Sequence, residues 1–360
     1  MRQLSEEMQA KLDEHLEAAA RILYEHTEAE KLKSFESIEW EVREQILEKV
    51  SPKIGEFFYP EGGQKRGGKQ RGVKSCLGEV KISQKQGKKL GLRSKTQISP
   101  GLEKCSLRLC AKNSYEQAAA DVKILMGIEI GHSSLHRLVQ KVELPEPQAE
   151  QKVSALSVDG GKVRLRTEGK GEWRDYKAVS LHGSVCAAFF QNPETLQQWS
   201  QRQPLSPILT CLGDGHDGVW KVINNIGGKQ VVLQRQVLDW YHLKENLYKV
   251  GGSLRRLQRV ETMLWLGWVE SAMAEFDGMK TKQANRLIAY LKHHQTRIPS
   301  YAEYQRLGIT IGSGSVESKI KQISARVKIS GASWKKENVS QILKLRCAYL
   351  SNSPCLSIYA

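Results

Sequence analysis

Between residues 153 and 238 the chain changes hydrophobic rhythm in an order that admits few sheet topologies. Residues 153–166 read as a strand, and Tyr176–His182 and Ser184–Phe190 as two more, rich in Val, Ala and aromatics. Pro193 starts a short helix through Gln201. Residues 207–212 form another strand, Val219–Ile226 a helix, and Val231–Leu238 a last strand. Three strands, helix, strand, helix, strand predicts an α/β fold, with a mixed sheet flanked by helices.

This arrangement is that of a ribonuclease H-like core, and three acids punctuate it. Asp159 closes the apolar run Ser154–Val158, and Asp214 closes Ile208–Gly213. Glu317 lies in the first turn of a helix that opens after Gly312-Ser313-Gly314. Asp-Gly at a strand end is also a common turn, and a first-turn Glu also serves a helix N-terminus. Together, two strand-end aspartates and a helical glutamate converge as carboxylates that hold divalent metal do. Asp217 and His216 are local substitutes for Asp214 in Gly213–Gly218. A further cluster, Asp239-Trp240-Tyr241-His242, places Asp and His three apart on one side of a helix start.

The flanking segments differ in character. Residues 4–50 read as helix, with Leu4, Met8, Leu12, Leu16, Ala19 and Leu23 in one stripe. That is a helical hairpin packed on the body, with self-association as the alternative. Residues 60–75 are Gly- and Lys-rich and read as a basic loop. Gly63, Gly68 and Lys69 approach a P-loop, but Gln70 replaces the hydroxyl that would reach magnesium, so no nucleotide cofactor is expected. Residues 114–141 have helix-turn-helix rhythm. Ala118, Ala119, Val122 and Leu125 mark a first helix, Gly127 a turn, and a second helix carries His136, Arg137, Gln140 and Lys141. Arg137 and Gln140 are the candidate base-reading residues. Residues 241–307 are almost all helical, and helices return at Val316–Lys328 and Asn338–Leu350. The expected divisions are 1–60 helical, 61–112 basic and DNA-contacting, 113–147 helix-turn-helix, 148–351 core with an insertion at 243–311, and a tail at 352–360.

Charge separates along the chain. Net charge is +16, yet residues 1–50 carry seven Lys/Arg against thirteen Asp/Glu. Residues 62–112 carry fourteen Lys/Arg against two acids, a segment suited to a polyanionic partner. Lys319, Lys321, Arg326, Lys328, Lys335 and Lys336 follow Glu317 as candidate phosphate clamps. Trp334 lies among them, either stacking on an unpaired base or anchoring the last helix. Seven scattered cysteines suit free thiols in a reducing, cytoplasmic setting, and Cys105 and Cys110 have no second pair at zinc spacing. No run has the length of a membrane span, so no membrane partner is expected.

VDGG at 158–161, LGDGHDGVW at 212–220, DWYHLKENLY at 239–248 and GSGSVES at 312–318 together resemble bacterial insertion-sequence transposases of the ISKra type, which belong with the Mutator-like DDE transposases. SGASWKKENVSQILKLRCAYLS at 330–351 is similar to that family's C-terminal block. The resemblance implies that Asp159, Asp214 and Glu317 form the DDE triad, that 243–311 is the insertion, and that Asp239 and His242 form an Asp-x-x-His motif. It implies DNA end cleavage and strand transfer with two Mg2+ (or Mn2+) ions. The expected partners are double-stranded DNA, as element terminal inverted repeats and target, and further copies of the chain in a dimer or larger synaptic complex. A non-catalytic DNA-binding protein derived from a transposase and a metal-dependent phosphoesterase are the alternatives.

Overall fold

The computed structural model describes residues 4–58, 69–169, 171–312 and 314–357, and of 314–318 the backbone alone. The chain divides into two compact units, one of Met1–Leu109 with Tyr115–Leu135, the other of Cys110–Ser114 with His136–Ala360.

The first unit begins with α1 (Glu6–Glu25), α2 (Phe35–Gln45) and α3 (Ser51–Phe57). Ser5 and Ser34 cap α1 and α2 by accepting backbone N–H groups at 3.3 and 3.1 Å. No residue of α1 is buried, so its leucine stripe lies uncovered in the single chain. Of the 60–75 segment read as a basic loop, 60–68 lies outside the described residues, and its end forms β1 (Gln70–Ser75), which pairs antiparallel with β2 (Gly78–Ser83), with α4 (Gln84–Lys89) following. Alternation of Val73, Val80 and Ile82 with lysines gives this ribbon one buried face. The P-loop-like glycines Gly63 and Gly68 lie outside the described residues. Then come α5 (Pro100–Lys112), whose end belongs to the second unit, α6 (Tyr115–Met126), and α7 (His132–Lys141), which belongs to the second unit from His136 on. Gly127 follows α6 with φ +67°. Ala118 and Val122 are buried, whereas Leu125 is exposed.

The second unit is built on β3 (Val153–Leu165), β4 (Glu172–Leu181), β5 (Cys186–Phe190), then α8 (Pro193–Gln201), β6 (Leu205–Gly213), α9 (Asp217–Ile223) and β7 (Leu233–Leu238). The sheet has five strands in the order β5-β4-β3-β6-β7. The first three run antiparallel, and β6 and β7 run parallel to β3. Residues adjacent in a strand point to opposite faces. Tyr176 bonds Ser324 through its hydroxyl at 2.7 Å, while neighbouring Lys177 lines a cavity with α8 and α9 residues. Helices therefore cover both faces of a mixed sheet.

Between β7 and the last two helices lie α10 (Trp240–Tyr248), α11 (Leu254–Trp265), α12 (Val269–Ala274), α13 (Lys282–His294) and α14 (Tyr301–Arg306). The helical run breaks between α11 and α12 at Gly267, whose φ is +80° and whose missing Cβ leaves room for the backbone of Ser300. Trp240, Trp265 and Tyr301 form an aromatic cluster with centroids 4.8–6.1 Å apart. Tyr301 donates to Leu238 O at 2.8 Å, tying this helical layer to the end of β7. α15 (Gly314–Val327) and α16 (Lys336–Leu350) complete the unit. No helix among the described residues is long and apolar enough to cross a membrane.

Candidate active site

Asp159 does not close its strand. It lies within the 13-residue β3, one position beyond the last parallel pair, Val158 with Gly213. β3 runs on because β4 keeps pairing with it, Gly160 opposite Lys177 and Gly161 opposite Tyr176. The two glycines admit neighbouring side chains: a Cβ on Gly161 would meet the Tyr176 ring at 2.2 Å, and one on Gly160 the Lys177 amine at 2.9 Å. The Asp-Gly-Gly triplet thus serves close approach in a strand, not a turn.

Asp214 does follow a strand end, immediately after Gly213 of β6. Its Oδ1 accepts from His216 N at 2.9 Å, and Tyr290 Oη donates to its carbonyl at 3.3 Å. Gly215, at φ +94°, makes room for the Tyr290 ring. Asp239 N donates to Gly213 O at 2.9 Å, so the ends of β6 and β7 are bonded beside the site. Asp239 itself is 2% exposed, and its Oδ1 caps α10 by accepting from Tyr241 N and His242 N at 2.9 and 3.1 Å.

These elements bring Asp159, Asp214, Asp239 and His242 to one cleft of about 10 Å³, closed by Ser157, Val158, Leu212, Gly213 and Ile320. That is room for a single water-sized occupant. Ile320 belongs to α15, and Glu317 stands one turn before it in the same helix. The Glu317 side chain lies outside the described residues.

Electrostatics mark the cleft. Burial and the neighbouring Asp214 carboxylate raise the Asp159 pKa, against the Gly160 N–H bond at 2.6 Å and the nearby His242 and Lys177. Two carboxylates that repel in a small cleft are a donor set suited to a divalent cation. Among the described residues no group of three or more His, Cys, Asp or Glu side chains is arranged to hold a metal. Asp239 spends one oxygen, Oδ1, on its helix cap.

Two neighbours were missed by sequence reasoning. His182 bonds Ser157 Oγ through Nε2 at 2.8 Å, and burial pushes its pKa down to about 4 although Asp239 opposes this. Lys177 reaches across Gly160 toward Gly218 at the start of α9. Only strand register reveals them: Lys177 is the partner of Gly160, and His182 N bonds Ala155 O at 3.0 Å.

Several expected contacts are employed elsewhere. His216 is exposed and accepts from Gly218 N through Nδ1 at 3.0 Å, capping α9 rather than lining the cleft. Trp334 is buried. It donates from Nε1 to Val327 O at 2.9 Å, and its backbone bonds Arg164 O and Arg166 N at 2.9 and 2.8 Å. Its indole is an anchor, with no face open to a base. Arg326 is 2% exposed, donates to Cys110 O at 2.7 Å and lies 5.1 Å from the Trp334 ring, so it clamps no phosphate. Lys319 donates to Ser184 O at 2.6 Å, in the turn between β4 and β5. Lys321, Lys328, Lys335 and Lys336 are exposed, as is Arg137, whereas Gln140 is half-buried.

No protein-family model matches the chain. The chain is similar to the "UPF0236 protein in vanSb 3′region" of Streptococcus gallolyticus, with 23% identity over 367 residues covering 84% of this chain and 78% of that protein.

Proposed function

We propose that this chain is an insertion-sequence transposase of the DDE type, cutting DNA at element ends and joining the freed ends to a target. The observation that carries the reading is the convergence of Asp159 and Asp214 from adjacent parallel strands on one cleft, with the helix of Glu317 forming its wall. The strand order, with three antiparallel strands followed by two parallel to the first, is compatible with a ribonuclease H-like core and supports the reading. The likeness to a UPF0236 protein, a name given to transposase-like insertion-sequence proteins, supports the same reading.

Asp159, Asp214 and Glu317 would hold divalent metal, Mg2+ or Mn2+, which supplies activation of the attacking oxygen and stabilisation of the leaving 3′ oxygen. The chain's own groups do the rest. Tyr290 and the His216 N–H fix Asp214 in place. The α10 cap fixes Asp239 beneath it, with His242 one turn on. Lys177 sets a positive charge beside Asp159 where a phosphate would lie. Hydrolysis forms one P–O bond and breaks another, leaving a 3′-hydroxyl. That hydroxyl then attacks a target phosphodiester in a second exchange of the same kind, so no ATP is consumed. Exposed lysines of 81–95 and 321–336 would neutralise backbone phosphates.

The test is cleavage of a labelled duplex carrying the flanking element ends, with Mg2+ or Mn2+. Wild type is expected to nick at the end, and Asp159→Asn and Glu317→Gln to bind the duplex without nicking it. Binding without nicking by wild type would favour a non-catalytic DNA-binding protein. Nicking that survives Glu317→Gln would remove that residue from the site.

A further inference from the structure

A cavity of about 570 Å³ opens on the face of the sheet covered by α8 and α9, outside the carboxylate cleft. Its lining includes Trp173, Lys177, Gln191, Asn192, Lys221 and Asn225. The volume is in the range that takes one nucleotide-sized ligand. Trp173 is 54% exposed although it lines a cavity, so a flat aromatic face is open to an incoming ring. Gln191, at the end of β5, holds the left-handed backbone (φ +51°) that a glutamine rarely adopts. Unusual backbone of this kind persists where the surroundings impose it, often at ligand sites. Side-chain amides carry both a donor and an acceptor, as base edges do. Lys177 and Lys221 form no ion pair among the described residues.

Position ties the cavity to the cleft. Lys177 and Gly218 line the cavity. Lys177 also crosses Gly160, the residue after Asp159, and Gly218 lies in the first turn of the helix that follows Asp214. Lys177 is therefore common to this opening and to the charges that act on Asp159.

We propose that the cavity receives one unpaired nucleotide of the DNA strand engaged at the Asp159–Asp214 cleft, its base stacked on Trp173 and its phosphate held by Lys177 and Lys221. The proposal rests on the DNA-processing reading above and adds the form of substrate: a strand locally unpaired beside the scissile phosphate. Stacking on an aromatic side chain is indifferent to base identity, so the site selects an unpaired nucleotide rather than a sequence.

The experiment compares three fluorescein-labelled hairpin DNAs bound to the full chain in EDTA, where metal-dependent cutting cannot occur. One is blunt, one has a four-thymidine 3′ tail, and one a four-thymidine 5′ tail. Wild type is expected to prefer at least one tailed form over the blunt form by roughly 5- to 150-fold, the value of one base stack. Trp173→Ala is expected to bring that ratio to about one, Trp173→Phe to keep most of it, and Lys221→Glu to lower it. A ratio near one in wild type, or a preference unchanged in Trp173→Ala, overturns the proposal. So does a Trp173-dependent fluorescence change with millimolar dTMP in the absence of any tail preference, which would make this a free-nucleotide site. End cleavage that is lost in Asp159→Asn reports separately on the transposase reading. Cleavage without tail preference removes the cavity's role and keeps the enzyme. Trp173-dependent tail preference without cleavage keeps the cavity and removes the enzyme.

Discussion

Asp159 is held where its charge is unwelcome. Burial and Asp214 both disfavour its ionised form, so its folded pKa lies above the ordinary 3.8. The resulting cost to folding is absent well below pH 3.8, where folded and unfolded chains are both protonated, and complete above the raised folded value. At neutral pH, Asp159→Asn is therefore expected to raise the thermal midpoint, by roughly 1–3 °C, while abolishing cleavage. Added Mg2+ should stabilise wild type and leave the variant almost unmoved, because a ligand stabilises only the state that binds it. A less stable variant, or equal Mg2+ shifts in both proteins, would count against a metal-binding Asp159. His182 behaves in the opposite sense. Its folded pKa of about 4 lies below the ordinary 6.5, so the unfolded chain takes up the proton first. The stability it contributes is fully present above pH 6.5 and is lost as pH falls toward 4, up to about 3 kcal/mol. Urea midpoints at pH 7 and pH 5 should differ less in His182→Gln than in wild type. An unchanged difference would mean that His182 is not held neutral by the fold.

Trp334 shows how an element can be held by one side chain. Its backbone extends β3 by a short bridge at Leu165, and its indole N–H closes the end of α15 on Val327 O. Arg326 lies against its ring and reaches Cys110 O. Trp334→Phe keeps the ring and removes the buried donor, so a loss of about 1–3 kcal/mol is expected, read from urea unfolding. DNA affinity per folded molecule should not change, whereas a base-stacking Trp334 would lose affinity at constant stability. The same residue shows what was legible in the sequence. The strands and helices of 153–238 were, because apolar runs, Pro193 and glycines such as Gly183, Gly213 and Gly227 mark local structure directly. The nearness of Asp214, Asp239 and His242 could be anticipated from their places at element ends, whereas Asp159 follows an apolar run but lies inside a strand that β4 prolongs. What was not legible depends on register and tertiary packing. A Gly-Gly pair reads as a turn until a neighbouring strand brings Tyr176 and Lys177 over it. A basic residue after the glutamate reads as a phosphate clamp until packing buries Arg326. The β1–β2 ribbon was hidden because its short alternation, Val73 against Val80 and Ile82, sits among glycines and lysines.

At the scale of the whole chain, charge is distributed by element rather than spread evenly. α1 carries six acids against two basic residues, whereas the ribbon and the segment after it expose Lys81, Lys85, Lys88, Lys89, Arg93 and Lys95. Buried Val80 and Ile82 alternate with exposed residues in β2, and Gln86 and Gly87 are buried between Lys85 and Lys88, so β2 and α4 turn Lys81, Lys85, Lys88 and Lys89 outward as a consequence of folding. A cationic surface on a folded scaffold differs from a basic loop: its backbone needs no ordering on contact with a polyanion, which lowers the entropic cost of each contact. Each phosphate neutralised releases counterion, and for duplex DNA the slope of log affinity against log salt steepens by about 0.9 per contact. Replacing Lys81, Lys88, Arg93 and Lys95 by Gln should therefore flatten that slope by about 0.9 for every one of the four that touches phosphate. The loss should be the same for unrelated duplexes, since phosphate contacts carry no sequence information. The measurement is anisotropy of a labelled duplex titrated at several salt concentrations. A slope unchanged by all four substitutions would move the DNA-binding surface off the ribbon and onto the exposed lysines of 321–336, where Lys321→Gln and Lys328→Gln would then carry the salt dependence.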